Sequence, residues 1–154
     1  MTFTFDVFTN IRPYFQQYLE KCSLETLNKI PKGYNNNIIW NIGHVLVTSQ
    51  ILCYKLSGLP MHVSDAMVAK YQKGSKPEGP VSQAEVDEIK ELLKSTLSTL
   101  ESDYQKGAFN NFQEYTVSTT GNTLKSVDDA LQFALFHEGL HLGYIMALIR
   151  AVKN

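Results

Sequence analysis

The sequence predicts an all-α protein, an antiparallel four-helix bundle in one domain over residues 1–154, with a long irregular connection before the last helix. Three observations predict it. Apolar residues recur at helical spacing through four long segments. Chain breakers gather between those segments, at Pro31 and Gly33, at Gly58 and Pro60, and at Pro77, Gly79 and Pro80. A β-branched run occurs in only one stretch, near residue 117.

The first segment runs from about Phe5 to Cys22, with Phe8, Ile11, Phe15, Tyr18, Leu19 and Cys22 as its stripe. Pro13 falls inside it, so either the helix begins near Pro13 or the proline kinks it. Ser23 is placed to cap a short turn through Leu24, Leu27 and Ile30. The second long helix is expected from about Asn36 to Ser57, with three asparagines offering an N-cap and Gly58 a stop. A loop with one helical turn follows, to Pro80. Ser82 and Glu85 have capping-box spacing and open the third helix, whose stripe is Val86, Ile89, Leu93, Leu97, Leu100 and Tyr104. Gly107–Thr123 has no helical stripe and reads as an extended excursion. Ser126 and Asp129 open the last helix, which runs to about Val152.

The chain is 44% hydrophobic and 19% charged, a globular balance that leaves no case for pervasive disorder. Its formal net charge of −1, with no basic cluster, argues against nucleic acid and against an anionic membrane surface. Gly33–Tyr54 lacks Lys, Arg, Asp and Glu, yet its asparagines, His44, Thr48, Ser49 and Gln50 are too polar for lipid, so a helix buried in protein is expected. Cys22 and Cys53 are too few for a disulfide framework, and Met1–Asp6 has no signal-peptide pattern. A cytoplasmic protein with reduced thiols is expected.

Of the four histidines, three lie on the two most apolar helices. His137 and His141 are spaced i, i+4, so both project from one face and can reach one ion. That face also carries Ala130, Ala134, Tyr144 and Leu148. His44 is the natural third ligand, with Trp40, Asn41 and Thr48 on its side of the second helix. Three neutral imidazoles and an open water position form a catalytic zinc-type donor set. Gly43, Gly139 and Gly143 beside these histidines imply a close approach by backbone or ligand, since glycine within a helix costs about 1 kcal/mol relative to alanine. The competing reading is three hydrogen-bonded core histidines without metal. His62 reads as a solvated loop residue.

His137-Glu138-Gly139-Leu140-His141 matches HExxH, the zincin pattern in which the glutamate is the general base. Zincins take their third ligand downstream, and the 13 residues after His141 contain no Asp, Glu or His. The third ligand must therefore lie upstream. Glu138 is left as a general base, as an acceptor for an imidazole N–H, or as a residue packed at a helix interface.

Pro31-Lys32-Gly33-Tyr34, then Ile39-Trp40-Asn41-Ile42-Gly43-His44-Val45-Leu46, then Phe136-His137-Glu138-Gly139-Leu140-His141-Leu142-Gly143-Tyr144-Ile145 together resemble the DinB/YfiT-like superfamily of metal-dependent proteins. The resemblance spans nearly the whole chain. It implies an up-down-down-up four-helix bundle, often a homodimer, with a metal on His44, His137 and His141. Some relatives transfer or remove groups with a low-molecular-weight thiol, and others are presumed hydrolases.

The leading functional expectation is thus a metal-dependent enzyme, a hydrolase or a thiol-dependent transferase, acting on a small molecule. One divalent ion, zinc or nickel, is expected, with Trp40, Asn41, Thr48, Phe133, Phe136 and Tyr144 near the substrate. The alternative is a non-catalytic metal-binding or stress-response bundle protein. In either metal case affinity is expected to fall below about pH 6, where free imidazoles take up protons.

Overall fold

The computed structural model describes residues 1–153, and they are mostly helical. Helix α1 spans Thr2–Lys21, α2 Leu24–Asn28, α3 Ile38–Gln50, α4 Asp65–Tyr71, α5 Gln83–Gln105 and α6 Val127–Lys153. The caps follow from local chemistry. Side-chain oxygens of Ser23, Asn37, Ser64 and Ser82 accept from Thr26, Trp40, Met67 and Glu85 backbone N–H groups, satisfying donors that have no intrahelical partner. The Ser82 capping box is only half formed, because the Glu85 carboxylate is engaged by Lys70 and the Tyr71 hydroxyl.

The structure decides between the two readings of Pro13 and departs from expectation at the end of the second long helix. Pro13 lies well inside α1, beyond its first turn, so the Thr9 carbonyl loses its usual helical donor. The second long helix stays α-helical only to Gln50 and then widens into a π turn, Ile51–Lys55, closed by Leu56 N–H to the Ile51 carbonyl at 3.1 Å. The extra residue in that turn rotates the following side chains, and Leu52, Cys53 and Tyr54 become buried in succession.

Helix α1 packs on α5 and α6, and α3 packs on α6 and α5. Directions follow from the ends that meet. Phe5 touches Tyr104 with ring centroids 5.5 Å apart, and Glu20 pairs with Lys90 at 2.7 Å, so α1 and α5 are antiparallel. At the centre the Arg12 guanidinium ties α1 to two neighbouring helices. It donates to both oxygens of Glu138 on α6 at 2.7–3.2 Å and to the Leu93 carbonyl on α5 at 2.9 Å. The extended excursion after α5 contains a two-residue antiparallel ladder, β1 (Tyr115–Thr116) with β2 (Thr123–Leu124). Val117 and Leu124 anchor it on the core beside Leu52 and Leu131. Among the described residues, no helix is long and apolar enough to cross a membrane.

Candidate metal centre

Helix α3 is buried on nearly every side, which is why a stretch without charges suits it. It delivers His44 to the inner face of α6. Ring centroids of His44 lie 5.1 Å from His137 and 4.9 Å from His141, and the two α6 rings are 4.4 Å apart. One nitrogen from each ring falls within 4.8 Å of the others. Tetrahedral zinc, with bonds of about 2.0 Å, places its nitrogens about 3.3 Å apart. The rings must therefore close in slightly around an ion.

Two of the rings have their tautomer fixed by neighbours. His44 Nδ1–H donates to the Tyr71 carbonyl at 2.7 Å, which leaves Nε2 with the lone pair. The amide of Asn41 spends its two N–H bonds on Asn36 Oδ1 and the Asn37 carbonyl, so its oxygen accepts from His141 Nδ1–H at 2.8 Å. His141 Nε2 is likewise left as a base. Outer partners of this kind orient metal-binding imidazoles and raise their basicity. Trp40 stacks on His44, 4.8 Å between centroids at 9°, and holds its ring plane.

Burial keeps the three imidazoles neutral. Desolvation, followed by the neighbouring His141 and His44, pushes His137 down to about 3. Desolvation and His44 push His141 down to about 4. His44 is lowered by burial against the opposing hydrogen bond to Tyr71. Neutral imidazoles are the form a metal requires. The donor set therefore fits a borderline divalent ion.

The histidines form the floor of an open cavity of about 420 Å³. Thr48 and Phe133 line it as expected from their helix positions. Trp40, Asn41 and Tyr144 stand outside it: the first two support His44 and His141, and Tyr144 packs edge-on against Tyr34. Phe136 is half exposed and also outside. Glu138 is 1% exposed and bound to Arg12 on α1, outside the cavity lining. Burial raises its carboxyl and the guanidinium opposes that rise. Of the roles open to it, packing at a helix interface is the one its contacts match. His62 is partly exposed and rests edge-on against Tyr54, clear of the cavity.

Of the three glycines, only Gly43 has a close neighbour. A Cβ there would sit 2.5 Å from the Tyr71 ring, whereas at Gly139 and Gly143 it would meet open space. Sequence reasoning did not find Lys55, Lys73, Ser118 and Thr119 at the cavity mouth. A signal for Lys55 was present, since 44, 48, 51 or 52, and 55 lie along one helix face. The others come from the segment after α4 and from the β1–β2 turn, which no periodicity connects to His44.

A sequence profile of the DinB superfamily matches residues 8–145. The chain belongs to the DinB superfamily. Both histidine-bearing blocks fall within the matched span, as does the cavity. No curated protein matches the chain.

Proposed function

We propose that this DinB protein is a divalent-metal enzyme acting on a small molecule, with zinc or nickel held by His44, His137 and His141. The observation that carries this reading is the meeting of three neutral imidazoles on the floor of an open cavity. A structural ion would need no cavity beside it, and structural zinc sites are closed by a fourth protein ligand. When bound, the ion supplies Lewis acidity, lowering the pKa of a water or thiol. The chain's own residues position the ligands: Tyr71 and Asn41 hold two rings in the basic tautomer, and Phe133 and Thr48 bound the reaction space. Hydrolysis and transfer of a low-molecular-weight thiol both suit such a site.

The same reading takes the four long helices, α1, α3, α5 and α6, as the up-down-down-up bundle of a single cytoplasmic domain. The pairings of α1 with α5 and α6, and of α3 with the same two, support it. A homodimer is part of the proposal. The outer face of α6 exposes Phe136, Leu140, Tyr144 and Met146 around Gly139 and Gly143, an apolar strip where two helices can approach closely.

Metal loading tests the central claim. The only tryptophan, Trp40, stacks on His44, so nickel binding should quench its fluorescence with a one-to-one endpoint. His44→Ala, His137→Ala and His141→Ala should each abolish the tight phase with the fold intact by circular dichroism. Unchanged binding in the triple variant would end the reading. If metal binds but chelation lowers only Tm and no hydrolase or thiol-transfer substrate turns over, the non-catalytic alternative holds.

A further inference from the structure

The walls of the histidine cavity divide sharply by chemistry. Leu52, Leu56 and Phe133 make an apolar interior, half-exposed Leu140 stands at its edge, and the lining also carries Lys55 and Lys73. No lining residue is Asp or Glu. Of the chain's lysines, Lys70 pairs with Glu85 and Lys90 with Glu20, each at 2.7 Å. Neither Lys55 nor Lys73 has an ion-pair partner among the described residues. Lys73 instead donates to the hydroxyl of Ser118, across the gap between the segment after α4 and the β1–β2 turn. Two unpaired cations at the rim of a low-dielectric cleft, in a chain of net charge −1, focus positive potential into it.

We infer that the cavity takes a small organic acid: an apolar body lying on Leu52, Leu56 and Phe133, and a carboxylate drawn to the rim by the positive potential of Lys55 and Lys73. This rests on the reading of the cavity as the functional site. It adds a substrate class that the three histidines alone do not specify. The two lysines are substrate-binding groups, and they select against amines of the same shape.

Calorimetric titration of the metal-free protein with 4-phenylbutyrate, 4-phenylbutyramide and 4-phenylbutylamine tests it. The acid should bind about tenfold more tightly than the amide, and the amine no better than the amide. The preference should shrink as salt rises, because the lysines are exposed. In Lys55→Gln/Lys73→Gln the acid should fall to within about twofold of the amide. In Lys55→Glu/Lys73→Glu the amine should bind more tightly than the acid. Equal binding of acid and amide, no measurable binding of the acid, or a preference that survives loss of both lysines would each overturn the inference. The metal reading fails separately: a protein that takes up no nickel but keeps a lysine-dependent preference for the acid defeats that reading and leaves this one standing.

Discussion

Residues 136–144 of α6 occupy two environments that differ in almost every physical respect. On the inward side, His137 is buried among histidines, Glu138 is clamped by Arg12 on α1, and His141 is held by Asn41 on α3. On the outward side, Phe136 and Leu140 are half exposed, and Gly139 and Gly143 face open space. The inward residues are chosen by partners on other helices, so each is costly to change alone. Phe136 and the two glycines are free of this chain's own packing, and any constraint on them must come from another molecule. The HExxH letters therefore mix two unrelated demands: the histidines serve the cavity, while the glutamate serves the contact with α1 and α5.

The sharpest break in this comparison is Arg12→Ala. It strands the Glu138 carboxylate in a fully buried position, and removing one partner of a buried pair typically costs about 3–5 kcal/mol. Urea unfolding should show a loss of that size. Arg12→Met combined with Glu138→Leu should recover most of it, because neither charge is then left buried. If the double variant is no better than the single, Glu138 has a role besides pairing with Arg12.

Gly43→Ala tests the α3 side. The added Cβ meets the Tyr71 ring at 2.5 Å, where Gly43 and Tyr71 pack in direct contact. Overpacking of this kind costs about 1–3 kcal/mol. The shift of Tyr71 also moves the carbonyl that fixes the His44 tautomer, so nickel affinity should fall by about tenfold or more. Unfolding and Trp40 quenching, measured on one preparation, separate the two effects. A stability loss with unchanged affinity would show that the Tyr71 carbonyl is dispensable.

The inward face should also respond to acid. His137 is at about 3 in the folded chain and near 6.5 when unfolded. Between those values the unfolded state binds the extra proton. Metal-free stability is therefore full above about pH 6.5 and is lost as pH falls through the window. From pH 7 to pH 5 this histidine alone accounts for about 2 kcal/mol, at about 1.4 kcal/mol per unit below 6.5. Urea midpoints of wild type and His137→Gln at both pH values isolate that share from the carboxylates. An equal acid loss in the two proteins would contradict it.

How much of this was legible in the sequence follows from which contacts are local. The helix stripes and the caps at Ser23, Ser82 and the asparagines before α3 depend on near neighbours, and they were readable. So was the convergence of His44, His137 and His141, because two imidazoles on one helix leave the coordination sphere of a metal incomplete and the chain after His141 offers no further donor. The π turn was not readable: Ile51–Lys55 fits an α-helical stripe equally well, and only packing decides between the two. Nor was the duty of Asn41, since its free oxygen is defined by where Asn36 and Asn37 take its protons. Trp40 and Tyr144 share helix faces with the histidines, but a wheel position does not say whether a ring faces the cavity or the packing behind it.

Gly139→Ala and Gly143→Ala complete the comparison with Gly43. Within the monomer nothing crowds either position, and alanine favours a helix over glycine by about 1 kcal/mol, so each variant should unfold at slightly higher urea. That outcome belongs to dilute, monomeric protein. If the apolar strip of α6 seats a second copy of the chain, the added methyl groups hold the two helices apart, and sedimentation should show weaker self-association even as the monomer gains stability. A dimer that survives both substitutions unchanged would place its interface elsewhere and leave Phe136 and Leu140 exposed in the assembly. A gain in monomer stability together with a loss of association would identify the glycines as kept for the partner, the outward counterpart of Gly43, which is kept for Tyr71.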